Sequence, residues 1–293
     1  MSKVLLPVHG SWMLLLAAVV FMAVGILAGE TGIFFLIIFL TQTIGILMPP
    51  VLFLTLSKYK LKETLRLKVF NFKQLVIITV GIIAVYPVGV FFNAVVQYIL
   101  VGLDVPLPES PLPPVLMETP FLISLLFIAV LPGICEEVLF RGFIMRSYEK
   151  IGRTAAITIS AILFGMFHFN LLNLLGPMVL GGVIGYIVIA TNSLVAGMYA
   201  HALNNTIALT LMHVIPSEAA EYDQVVNQEL MLIALYILAI VAIICGAISF
   251  LILRLLAKNT PNNEYNFSNY KESSRFMMIL PVIIFVILFI LLA

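Results

Sequence analysis

Residues 121–146 read FLISLLFIAVLPGICEEVLFRGFIMR. A helix needs about 20 predominantly apolar residues to cross a hydrocarbon core of about 30 Å, and this run is long enough. Yet it carries Glu136, Glu137 and Arg141 in its interior. Ionisable groups at that depth cost at least about 2.5–3.5 kcal/mol each on insertion scales, and their default reading is functional. The rest of the chain shows that the run is not a buried helix of a soluble protein. Of 293 residues, 62% are apolar and 10% charged, with a mean hydropathy of +1.18. A soluble domain has about 45–50% apolar and about 25% charged residues. That composition excludes a water-soluble globule and a disordered chain. A net charge of +1 without a large basic patch excludes a nucleic-acid binder, and two Cys exclude a disulfide scaffold. Membrane lipid is the solvent and partner that remains.

Hydropathy places candidate spans at 11–29, 33–57, 74–100, 121–146, 154–171, 174–190, 194–215, 230–253 and 276–293. The expected fold is all-α, a polytopic transmembrane helix bundle of eight to nine spans, with the short sixth the least secure. Uninterrupted apolar runs exclude the alternating strands of a β-barrel. Pro49-Pro50, Pro87 and Pro132 fall inside spans two, three and four and predict kinks. Segments 103–120 and 216–229 are too polar or too Pro-rich to span and are expected to be loops. The Lys and Arg residues fall in four groups: Lys3, the run from Lys58 to Lys73, the group from Arg141 to Arg153, and the group from Arg254 to Arg275. With nine spans all four lie on one side, which the positive-inside rule makes cytoplasmic. Glu30, Asp104, Glu109, Glu118, Glu218, Glu221, Asp223 and Glu229 lie on the other. The N-terminus is therefore expected in the cytoplasm. Lys3 before an apolar run ending Leu27-Ala28-Gly29 also resembles a signal peptide. That run exceeds a typical signal-peptide core, and another span follows at once, so span one is expected to stay.

Three polar clusters lie within spans: Cys135-Glu136-Glu137 with Arg141 in span four, Phe164 to His168 in span five, and His201 to Asn205 in span seven. Glu137 and Arg141 are four residues apart, share a helix face and can pair. Glu136, rotated by about 100°, is left without an obvious local partner. A desolvated carboxylate is more basic than a hydrated one, which suits a general base. The same residues would equally fit one buried ion network at a helix contact. His201 and Asn205 also share a face, and their N–H groups could hold an oxyanion formed from a peptide carbonyl or simply join two helices. His168 could be an ordinary hydrogen-bonded core histidine. Depth favours combination. Counting about 1.5 Å per residue from the cytoplasmic ends, Glu136, His168, His201 and Asn205 all fall about 10–20 Å in, within boundary error of one another.

These clusters resemble an intramembrane endopeptidase family that includes the CAAX prenyl endopeptidases and bacterial relatives linked to bacteriocin processing and immunity. The family pattern is Glu-Glu-x-x-x-Arg, Phe-x-x-x-His and His-x-x-x-Asn on successive membrane helices. The chain reads Glu136-Glu137-x-x-x-Arg141, Phe164-x-x-x-His168 and His201-x-x-x-Asn205, without departure. The resemblance covers about residues 120–215. With the hydropathy it gives three expected segments: three N-terminal spans in 1–120 and C-terminal spans in 216–293, matched only in being hydrophobic, around a catalytic protease core in 121–215. It implies proteolysis of a membrane-associated peptide or lipidated protein, with Glu136 and His168 activating water and His201 with Asn205 stabilising the oxyanion. Glu137 and Arg141 support the site. The membrane is expected to be the plasma membrane, with the site opening toward the cytoplasm. Zinc could bind through Glu136, His168 and His201, leaving a position open for water. The base would then have to be Glu137, which Arg141 holds, so a metal-independent mechanism is favoured.

Rival protease motifs are missing: there is no His-Glu-x-x-His, Gly-x-Ser-Gly or Gly-x-Gly-Asp. Cys135 and Cys245 are read as structural. His9 and His213 are expected at the interfaces, and Asn204 either lines the cavity or joins helices. The 58–73 cations are expected to face anionic headgroups. Two other functions remain open: a proton-coupled transporter, which would place paired polar sites in two related halves, and a non-catalytic immunity or scaffold protein.

Overall fold

The computed structural model describes residues 3–105, 112–214, 228–259 and 273–293, and among them there are helices and no strand. The principal helices are α1 (Pro7–Gly29), α2 (Phe34–Leu56), α3 (Phe72–Gly102), α4 (Phe121–Ile151), α5 (Arg153–Met166), α6 (Leu175–Thr191), α7 (Leu194–Val214), α8 (Gln228–Leu253) and α9 (Ser273–Leu292). Six described stretches are long and apolar enough to cross a membrane: α1 to α4, Leu171–Thr191 and Gln228–Ala257. Arg153–Met166 and Met277–Leu292 are shorter apolar helices. The chain is thus a polytopic helical bundle, and each of the nine expected segments falls on a helix. Glu109, Glu218, Glu221, Asp223 and Lys271 lie outside the described residues.

Two expectations are corrected. Within the expected 103–120 loop, Leu112–Glu118 is a short helix. Pro113 and Pro114 suit its first turn, where the missing N–H groups would have no intrahelical partner. Span five was expected to run to residue 171, but α5 ends at Met166 and Phe169 takes a left-handed conformation with φ 46°. His168 therefore sits in the turn joining α5 to α6, at the tip of a helical hairpin.

Prolines shape the two helices that matter most for the interior. In α2 a wide π turn, Thr41–Leu47, precedes Pro49-Pro50, and Met48 N–H reaches back five residues to Thr43 O. In α4 a π turn, Leu125–Val130, precedes Pro132, and Leu131 N–H likewise bonds Leu126 O. Widening the ladder is a standard way to absorb a residue that has no N–H and crowds the preceding turn. By contrast α3 runs unbroken through Pro87.

The helices pack as α3 on α8, α5 on α6, α1 on α9 and α2, and α7 on α4, α6 and α3. Small residues permit close approach where lipid provides no hydrophobic drive. A Cβ on Gly45 of α2 would lie 2.7 Å from Phe21 Cα of α1. Three of the four cation groups gather at one end. Lys3 Nζ donates to Ser57 O at 2.7 Å. Glu149 accepts two bonds from Arg66, at 2.6 and 2.7 Å, and one from Arg146 at 2.6 Å. At the same end Ser193 Oγ donates to Lys68 O and accepts from Ala196 N–H, which caps α7.

Candidate active site

The site begins with Pro132. It has no N–H to give Ile128 O, four residues back, so that carbonyl lacks its usual helical donor inside an apolar bundle. Asn205 Nδ2 of α7 donates to it at 3.0 Å. Gly133, the next residue, brings α4 against α7 so closely that a Cβ there would lie 3.1 Å from Ala202 N. One proline and one glycine thus dock the helix of the third motif against that of the first.

Behind this contact is a sealed seam. Glu137 is completely buried, and its Oε1 accepts from Arg141 Nη1 at 2.7 Å and bonds His201 Nδ1 at 2.9 Å. A carboxylate paired with a guanidinium only accepts, so His201 Nδ1 carries the proton. The Arg141 guanidinium carbon lies 4.4 Å above the centre of the Phe164 ring, a cation–π contact. Phe164 also stands nearly perpendicular to His168, with centroids 5.2 Å apart, and to His201, at 5.6 Å. The phenylalanine of the second motif is therefore the post around which the cation and both imidazoles are arranged.

In front of the seam is a cavity of 590 Å³ lined by Glu136, His168, His201 and Asn205 together with Gln42 and Asn204. The groups expected to form one site are thus brought to one cavity. Glu136 Oε1 accepts from Gln42 Nε2 at 2.8 Å, and its Oε2 lies 3.9 Å from His201 Nε2. The expectation that Glu136 lacks a local partner holds only for its own helix, because α2 supplies one. His168 Nδ1 bonds Phe164 O at 3.0 Å. Carbonyls only accept, so in the neutral ring Nε2 keeps its lone pair. Asn205 Oδ1 accepts from Asn204 Nδ2 at 3.3 Å. With one Nδ2–H on Ile128 O, Asn205 keeps a second N–H to donate.

Among the described residues no group of three or more His, Cys, Asp or Glu is arranged to hold a metal ion. Cys135 is buried, and both cysteines are unpaired with each other. His213 Nδ1 bonds Leu209 O at 2.9 Å, and His9 Nδ1 accepts from Leu6 N at 3.1 Å. Sequence reasoning missed Gln42, and also Tyr86, Asn93 and Asn173, which line the same cavity. The signal for Gln42 was present: Thr41-Gln42-Thr43 interrupts the apolar run of α2.

A polytopic helical bundle with a largely apolar cavity that carries a few polar side chains is the class that fold and geometry define. Residues 118–207 match the family described as Rce1-like, type II CAAX prenyl endopeptidase. That segment holds all three motifs, and the resemblance read from them is shown over it; the family implies an endopeptidase of the CAAX type. No curated protein and no solved structure matches the chain.

Proposed function

We propose that the protein is a glutamate-dependent intramembrane endopeptidase that hydrolyses a peptide bond in a membrane-associated peptide or lipidated protein. The observation that carries this reading is the single cavity onto which Glu136, His168, His201 and Asn205 all open. A water between Glu136 Oε2 and His168 Nε2 gives its proton to the carboxylate, and its oxygen attacks the scissile carbonyl carbon. The carbonyl π pair moves to oxygen, where His201 Nε2–H, in the protonated ring, and the free Asn205 Nδ2–H hold the oxyanion. Collapse breaks the C–N bond, and the leaving amine takes the proton from Glu136. Glu137 fixes the ring of His201 throughout, and Arg141 holds Glu137. No step needs a metal.

The gathering of cations at one end supports nine spans with that end, and the N-terminus, in the cytoplasm. The site then opens toward the cytoplasmic side of the plasma membrane. A prenylated C-terminal peptide, a leader peptide and a regulatory membrane peptide all suit a partly apolar cavity. Comparative peptidomics of membranes holding the intact protein or Glu136→Ala tests the reading, with metal analysis of the purified protein alongside. The intact protein should generate cleavage products that the variant does not. Turnover retained by Glu136→Ala would remove the mechanism, and stoichiometric metal whose removal stops cleavage would remove its metal independence.

A further inference from the structure

Gln42 lies outside the matched segment, in the π turn of α2, and is only 8% exposed. Its Nε2 is 2.8 Å from Glu136 Oε1, while its own Oε1 has no hydrogen-bond partner among the described residues. Burying a carboxamide with half its polar atoms unpaired is unfavourable, and among the described residues the contact with Glu136 is what compensates it. The turn that presents Gln42 is also anchored. Thr41 Oγ1 donates to Ile37 O at 2.8 Å, and Gly45 seats the helix against the α1 backbone.

A carboxylate has two oxygens, and a base that delivers its proton must present the right one. Gln42 occupies Oε1, whereas Oε2 points toward His201 Nε2. We infer that Gln42 is a positioning residue that holds Glu136 by Oε1 and thereby reserves Oε2 for the proton of the attacking water; this rests on the endopeptidase reading above. An amide suits that task better than a cation. Oε1 remains an acceptor whether or not Oε2 is protonated, so the anchor survives the whole cycle. A guanidinium in its place would favour the ionised carboxylate over the acid that must protonate the leaving amine.

The test uses the full-length protein in detergent–lipid micelles and a fluorescence-quenched peptide bearing a prenylated cysteine near its C-terminus. Gln42→Met keeps the side-chain length and removes the donor. It should lower kcat by about 10- to 100-fold, the worth of a hydrogen bond to a charged group, with KM and thermal unfolding unchanged. Gln42→Glu should regain activity at acid pH, where the protonated side chain can donate again, and lose it as pH rises. Unchanged kcat in Gln42→Met, or a wild-type pH profile in Gln42→Glu, overturns the proposal. Glu136→Ala run alongside separates the two claims. If it keeps turnover, the endopeptidase reading fails. If it is inactive while Gln42→Met is not, only the role of Gln42 fails. Infrared difference spectra between wild type and Glu136→Gln isolate the Glu136 carboxylate band and decide the matter even if the probe is not cleaved. That band should move in Gln42→Met, and an unmoved band overturns the proposal.

Discussion

Glu136 and Glu137 are consecutive residues in opposite surroundings. Glu137 lies in the seam, fully buried, with a guanidinium and an imidazole both on its Oε1. Glu136 lies in the cavity wall, with its side chain 14% exposed, and its hydrogen-bond donor is a neutral amide. A carboxylate locked to a cation inside an apolar bundle is a structural charge, because removing either partner leaves the other uncompensated. A carboxylate whose hydrogen-bond donor is an amide, with its second oxygen facing a cavity, is open to a water and a substrate. A rotation of about 100° per residue is thus enough to divide one dipeptide into a support and a candidate base.

The sharpest way to break this comparison is to neutralise each glutamate in turn. Glu136→Gln should lower turnover by about 10²- to 10⁴-fold, the usual contribution of a general base, while thermal unfolding in detergent stays at the wild-type temperature. Glu137→Gln should instead destabilise the fold, by about 3–5 kcal/mol. If the two variants exchanged these phenotypes, the division of roles would be reversed.

Arg141 tests the same seam from the other side. Arg141→Met leaves Glu137 buried without its cation and should also cost about 3–5 kcal/mol. The double variant Glu137→Gln/Arg141→Met should recover much of that loss, since contacting residues are not additive. Full additivity in chemical or thermal unfolding would mean that the pair makes no mutual contribution. A smaller effect is expected at Gly181 of α6, where a Cβ would lie 3.0 Å from Ala161 Cα and 3.1 Å from Arg141 Nη2. The α5 backbone cannot rotate away, so Gly181→Ala should overpack the seam by about 1–3 kcal/mol, read as a lowered unfolding temperature.

Helix positions were legible because apolar runs of spanning length follow from the bilayer itself. The candidate site was legible in part because charge at that depth is rare and helical spacing puts Glu137 with Arg141 and His201 with Asn205. What stayed hidden was tertiary. Pro132 showed that Ile128 O would lose its usual donor, but not that Asn205 would replace it. α5 ends at Met166 and a left-handed turn follows at Phe169, and a continuous apolar run carries no mark of either. Gln42 comes from a helix outside the three motifs, so no local spacing rule could bring it to Glu136.

The smallest effect belongs to the third member of the run, Cys135. It precedes Glu136, is buried with no exposed surface, and could be mistaken for a nucleophile because of its position. Consecutive residues on a helix do not face each other, and Cys135 is not among the residues lining the cavity. Cys135→Ala therefore removes one packed sulfur and nothing from the proposed reaction. Its cost should be about 1 kcal/mol of stability, as for deletion of a single buried group, with kcat and KM unchanged. Thiol-directed alkylation should likewise leave turnover intact. Loss of activity in Cys135→Ala at full thermal stability would move the chemistry from the carboxylate to the thiol, and with it the distinction between cavity wall and seam.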